Sequence, residues 1–283
     1  MNKACLLAAV AAASFLAAAR TPPAAAQEGL DRLHAPFDRM LDLYVRDGLV
    51  YYRALRSERG ALDGYVAALG SSRADEVTRR PKAEQIAFWI NAYNALVLRT
   101  VIDHYPIRGR APEYPPSSIR QVPGAFDRVT RRVAGRSLTL DAIERDVLAA
   151  FGDPRVFLAL GRGSVGGGRL RSEAFTGARL GEQLQQVAAE FPTRGELLRV
   201  DSLSEQISVT PILSWRADTF VSAYADKVQG RAANRSPIER ALVVFITPHL
   251  LPAERAFVER NEFTVVFHEY DWRLNDLTGG GPR

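Results

Sequence analysis

Residues 81–106 read PKAEQIAFWINAYNALVLRTVIDHYP, and the fold follows from this stretch. Pro81 opens it and Pro106 closes it, where proline favours a helix start and enforces a stop. Between them lie about six turns of good helix formers without Gly or Pro. A 3.6-residue period puts Ile86, Trp89, Ile90, Tyr93, Leu96, Val97 and Thr100 on one wide face. The opposite face carries Glu84, Phe88, Asn91, Ala95 and Leu98, so it too is mostly apolar. A helix apolar on nearly all sides belongs inside a protein, not on its surface. Glu84 and Asn91 lie two turns apart on one stripe, with Asn94 at its edge. An unpaired buried polar group costs about 1–3 kcal/mol, so these side chains either tie neighbouring loops to the helix or line a ligand or reaction pocket.

Working outward, residues 29–47 predict an amphipathic helix with Leu33, Phe37, Met40, Leu41 and Tyr44 on one side, ended by Gly48. Residues 49–52 suit a short strand and 62–69 a second helix. Residues 132–138 read as a tight hairpin around Gly135. Thr139 then caps a helix over 140–151, with Asp141 favouring its positive end. Residues 155–160, RVFLAL, form an apolar run between turn signals and predict a buried strand. A helix over 180–191 and paired strands within 197–209 follow. Helical stretches at 215–224 and 238–244 precede a strand at 263–267. Helices come early and strands late without βαβ repetition, which predicts an α+β fold. The expected architecture is a single domain over 27–283, its core roughly 37–275, with a central buried helix, surrounding helices and a mainly antiparallel sheet.

Residues 1–26 read as a secretory signal peptide: Lys3, an uncharged apolar run from Ala4 to Ala19, then the small residues Ala24-Ala25-Ala26. The run is short for a bilayer span. Export to the periplasm or beyond is therefore expected, with no membrane span after cleavage. The chain's one cysteine, Cys5, leaves with this leader. The mature protein then has no disulfide, no zinc thiolate and no cysteine nucleophile. Removing Lys3 and Arg20 takes the 37 Lys and Arg to 35, against 32 acids. The basic clusters at 79–82 and 131–132 lack aromatic interleaving, so no nucleic-acid partner is expected. The hydrophobic and charged contents, 47% and 24%, argue against a disordered chain or a coiled coil.

No cofactor motif stands out. The loop GRGSVGGGR at 161–169 lacks the Lys-Ser/Thr ending of a P-loop and the GxGxxG spacing of a dinucleotide site. Ser164 is not in a GxSxG elbow. His34, His104, His249 and His268 show no partner spacing. His268-Glu269-Tyr270-Asp271 is dense in ligand types, but alternate strand residues face opposite sides, so no metal is expected.

In chain order, Val50-Tyr51-Tyr52, Phe88-Trp89-Ile90-Asn91-Ala92-Tyr93-Asn94, 138–144 (LTLDAIE), Asp153-Pro154-Arg155, 170–175 (LRSEAF) and 270–275 (YDWRLN) together resemble the "domain of unknown function 547" family. Members usually carry a histidine after the Asp-Pro-Arg and a Cys-Pro pair in the next loop. This sequence has Phe157 and Gly167-Gly168 there, and Arg145 where a histidine is common. For the family, a cysteine and a histidine near a buried helix suggest a papain-like or transglutaminase-like arrangement and thiol chemistry. Here the thiol is missing, and Phe157 cannot shuttle protons. The resemblance thus implies a non-catalytic binding or accessory protein for a small-molecule or peptide ligand, with Glu84, Asn91, Asn94 and Tyr270 as candidate binding residues. An alternative is a thiol-independent amide or peptide hydrolase or transferase. It would use Glu84 and Asp271 as catalytic carboxylates, with Asn91 orienting the substrate. A third reading, a purely structural envelope protein, predicts no concave polar pocket near the central helix.

Overall fold

A computed structural model describes residues 29–278; the leader assigned to residues 1–26 lies outside them. Four helices, α1 (Leu30–Tyr44), α2 (Tyr52–Ser57), α3 (Gly60–Ser71) and α4 (Ala74–Thr78), precede the predicted central helix, α5 (Lys82–His104). In α5, 17 of the 23 residues are buried, and they come from every side of the helix, Glu84, Asn91 and Asn94 among them. The sequence pattern required this. α1 turns Phe37, Met40 and Leu41 inward and ends three residues before the predicted limit. Asp47 and Gly48 both take positive φ (50° and 81°), and they fold the chain into a hairpin between β1 (Val45–Arg46) and β2 (Leu49–Val50).

The second hairpin joins β3 (Arg131–Val133) to β4 (Arg136–Leu138) around Ala134-Gly135, as the sequence indicates. Thr139 Oγ1 then accepts a hydrogen bond from the Ala142 N–H at 3.0 Å and starts α6 (Leu140–Ala142). The helix widens into a π turn over Ile143–Leu148 and tightens to 3₁₀ over Ala149–Phe151. Gly152 in the left-handed region stops it. Wide turns of this kind recur at functional sites, and this one carries Glu144.

The strand expected at 155–160 is instead a 3₁₀ turn, Pro154–Leu158, with Val156, Phe157 and Leu158 buried. Pro154 presets a helical φ, and the Asp153 carboxylate accepts from the Arg155 N–H at 3.1 Å, local bonds that compete with a ladder. An apolar run reports burial but not backbone conformation.

α7 (Leu180–Glu190) is followed by β5 (Leu198–Asp201) and β6 (Gln206–Val209), the predicted antiparallel pair. Then come α8 (Ile212–Trp215), α9 (Ala217–Tyr224), α10 (Pro237–Ile246) and α11 (Pro252–Arg260), and β7 (Thr264–Phe267) joins β6 in parallel. A parallel neighbour needs a long crossover, which these helices supply. The sequence had no expectation for α11, which begins at Pro252 with Glu254 bonding back to the Leu251 N–H at 2.9 Å. With 55% helix and 9% strand, helices make the body and small sheets pack onto it, an α+β architecture around one hydrophobic core. Among the described residues, no helix is long and apolar enough to cross a membrane.

Candidate functional site

The two asparagines of α5 act on loop backbone. Asn91 Nδ2 donates to the Phe175 carbonyl at 2.8 Å, and its Oδ1 accepts from the Phe175 N–H at 2.9 Å. Asn94 Nδ2 donates to the Ala159 carbonyl, while its Oδ1 accepts from the Gly161 N–H, both at 3.0 Å. Each amide thereby fixes one incoming loop to the central helix, which is the tying role the sequence left open. Glu84 is buried at the start of α5 against Gly177, and its Oε2 has no hydrogen-bond partner. Ten residues of helix separate it from Asn94, about 15 Å at 1.5 Å per residue.

Asp271 stands elsewhere, its backbone against Gly166. Burial pushes its carboxyl up, but the Arg273 guanidinium (Nε to Oδ2, 2.9 Å) and N–H hold it below the usual carboxylate range. Tyr270 bridges two features. Its hydroxyl is hydrogen-bonded to Ser164 Oγ at 2.8 Å, and its ring packs on Trp215 and Trp272 with centroids 5.0 and 4.3 Å away. Burial pushes its phenol up to about 12.

Those two tryptophans wall a cleft of about 200 Å³. Their rings lie 6.3 Å apart and within 19° of parallel, and Trp215 is 42% exposed. Phe126 meets Trp272 edge-on at 5.8 Å. Arg120 lies over Trp272 and Phe126 at 4.4 and 4.8 Å, a pair of cation–π contacts. The floor is an ion cluster. Glu144 Oε1 accepts from Arg162 Nη2 at 2.6 Å and Arg216 Nε at 2.9 Å, and Oε2 accepts from Tyr93 Oη at 3.3 Å. Burial alone would raise the Glu144 carboxyl, but the two guanidinium groups hold it below its ordinary value. Arg162 is buried too, and its Nη1 donates to the carbonyls of Phe157 and Leu160. Asp141, half-buried on the wall, has its carboxyl raised by burial and by Glu144. Arg120 and Arg145 stand exposed on the lining, and among the described residues neither pairs with a carboxylate within 4 Å.

The loop at 161–169 explains its own glycines. Arg162 and Gly163 take positive φ (49° and 63°), which turns the Arg162 side chain under the cleft. A β-carbon at Gly167 would lie 2.3 Å from the Gly161 carbonyl oxygen, and one at Gly168 would lie 1.8 Å from that of Leu158. The positions where the resemblance places Cys-Pro therefore have no room for a side chain on this backbone. The N–H groups of Val165, Gly166 and Gly168 are bonded to Arg273, Asp271 and Leu160 carbonyls, so they do not converge on an anion as a phosphate loop does. Phe157, at the histidine position, is buried beneath Arg216, whose Cζ lies 5.5 Å from the ring centroid.

Of the candidate site residues Glu84, Asn91, Asn94, Tyr270 and Asp271, the structure brings Tyr270 against the cleft, through its contacts with Trp215 and Trp272, while Arg145, noted where a histidine is common, stands on the lining. Sequence reasoning missed Glu144, Arg162, Trp215, Arg216, Arg120 and Trp272. Two signals pointed there: two of the chain's three tryptophans stand in the wall, and an arginine lies between glycines in an otherwise apolar stretch.

Fold and site together define an α+β protein with a buried, loop-gathering helix and an arginine-rich aromatic cleft above a buried ion cluster. Residues 77–191 match the family model described as "Protein of unknown function, DUF547", and the resemblance holds over that stretch. It contains α5, Arg120, Glu144 and Arg162, whereas Trp215, Arg216, Tyr270 and Trp272 lie beyond it. No curated protein and no solved structure matches the chain.

Proposed function

We propose that this is an exported binding or accessory protein without thiol catalysis, which holds a small ligand in the Trp215–Trp272 cleft. The observation that carries this reading is the Glu144 carboxylate locked between Arg162 and Arg216 beneath an open aromatic wall. General acid–base work calls for a group that titrates near the operating pH. Glu144 is held low by two guanidinium groups and Tyr270 is pushed up by burial, which supports a shaping role for the ion cluster; Asp141 is the cleft carboxyl that burial raises. Tyr93 of α5 lines the cleft, which counts against a purely structural role. Export rests on the reading of residues 1–26.

The test is thermal unfolding of the protein against peptides, glycans and small metabolites, repeated with Trp215→Ala. A ligand at about 100 times its Kd adds about 2.7 kcal/mol, and Trp215→Ala should abolish that shift. Turnover of a bound compound, or no shift with any ligand class, would defeat the proposal.

One observation favours the alternative, an amide or peptide hydrolase or transferase, through Glu84 and not through the Arg273-paired Asp271: Glu84 Oε2 is buried without a hydrogen-bond partner. Any turnover found should then vanish in Glu84→Gln. Unchanged turnover in that variant would remove this reading.

A further inference from the structure

We infer that the cleft takes an oxyanion, carboxylate or phosphate, carried on a single planar ring; this rests on the cleft being a binding site, as proposed above. Charge comes first. Arg120, Arg145, Arg162 and Arg216 line the cleft against Asp141 and Glu144, so the lining carries two more positive than negative side chains. The positive surplus is not evenly placed. Arg162 and Arg216 are committed to Glu144, while Arg120 and Arg145 are exposed and without carboxylate partners among the described residues. Arginine presents a flat fork of donors suited to a carboxylate or phosphate. Asp141 opposes an anion from the wall, and its neighbours Arg120, Arg145 and Arg216 offset that repulsion.

Shape supplies the second half. Trp215 keeps 42% of its surface open beside Trp272, a platform for offset stacking of an aromatic ring. Arg120 is already seated on the Trp272 ring, which puts a guanidinium beside the platform where a stacked ligand's acid group can reach it. A volume of about 200 Å³ is small beside the roughly 300–1,000 Å³ of pockets for larger ligands. One ring with its acidic substituent fills it.

The experiment is a tryptophan-fluorescence and thermal-shift titration of the protein with benzoate, phenyl phosphate, benzyl alcohol, benzamidine, acetate and inorganic phosphate. The two ring-borne anions should bind at least about tenfold more tightly than the neutral ring, the cationic ring or the bare anions. Comparing benzoate with phenyl phosphate then tells which acid group the cleft prefers. Arg120→Gln combined with Arg145→Gln should erase the advantage of the anions, read as the ratio of benzoate to benzyl alcohol affinity within the variant. Both residues are exposed, and circular dichroism would verify that the double variant is folded. Equal or tighter binding of benzyl alcohol or benzamidine would overturn the anion assignment and leave the cleft as a binding site. Binding of bare acetate or phosphate as tight as that of the ring anions would overturn the ring requirement. No binding of any probe would overturn this inference, while the reading it rests on stands or falls by the wider screen of peptides, glycans and metabolites.

Discussion

Arg162 Nη2 donates to Glu144 Oε1 at 2.6 Å, and the two side chains are only 3% and 4% exposed. The contact joins the wide turn after α6 to the glycine loop beside α5, 18 residues further along the chain. A buried ion pair is no large source of stability by itself, because desolvation offsets the attraction. Its consequence is asymmetric: once the fold depends on it, neither partner can be lost alone.

Glu144→Gln would leave Arg162 charged and buried with its compensation gone. The expected loss is about 3–5 kcal/mol, read by urea unfolding. Replacing both residues by apolar ones should cost less than either single change. An additive double-mutant cycle would contradict this account.

Asn91→Ala strips partners from both the N–H and the carbonyl of Phe175, and Asn94→Ala does so for the Gly161 N–H and the Ala159 carbonyl. Each should lower stability by about 2 kcal/mol or more, since unpaired buried groups cost about 1–3 kcal/mol apiece. Protease-resistance mapping should show loosening at 172–177 for the first variant and 159–163 for the second. Wild-type stability in either variant would show that the amides do not tie the loops.

Gly167→Cys does not install a usable thiol, because its β-carbon would overlap the Gly161 carbonyl oxygen. Overpacking of this kind costs about 1–3 kcal/mol. The expected result is a lower melting temperature and no thiol-dependent hydrolysis of activated esters. Gly168→Ala, pressed on the Leu158 carbonyl oxygen, should be at least as damaging.

His34 is buried beside Tyr65, with Nδ1 hydrogen-bonded to the phenol at 2.7 Å and Nε2 without a partner. Burial lowers its pKa from 6.5 to about 3. The folded protein therefore resists protonation that the unfolded chain accepts. This stability is complete above pH 6.5 and falls away as the pH drops toward 3. His34→Gln should flatten the fall between about pH 6 and 5, where unperturbed carboxylates are still ionised, by up to about 1.4 kcal/mol per pH unit. An unchanged slope would mean that His34 is protonated in the fold.

Legibility in the sequence tracked the range over which each interaction acts. α5 was readable because apolarity on every side is a property of consecutive residues, and burial is the only way to satisfy it. The β3–β4 hairpin was readable because its turn is set by local backbone. The run at 155–160 was read correctly as buried and wrongly as strand, since the Asp153 side-chain bonds that curl it are invisible to hydropathy.

By itself, the sequence determined the buried central helix, the α+β class, the absence of any cysteine beyond Cys5, and the likeness to family 547. Tertiary structure alone decided that Asn91 and Asn94 hold loops, that β7 runs parallel to β6, and that the cleft exists. The cleft's parts come from residues 93, 120, 126, 141, 144–145, 162, 215–216 and 272, and Glu144 and Arg216 meet across 72 positions of chain. Charge pairing and ring stacking act through a few ångströms of space, so their partners are chosen by packing and leave no periodic trace in the chain.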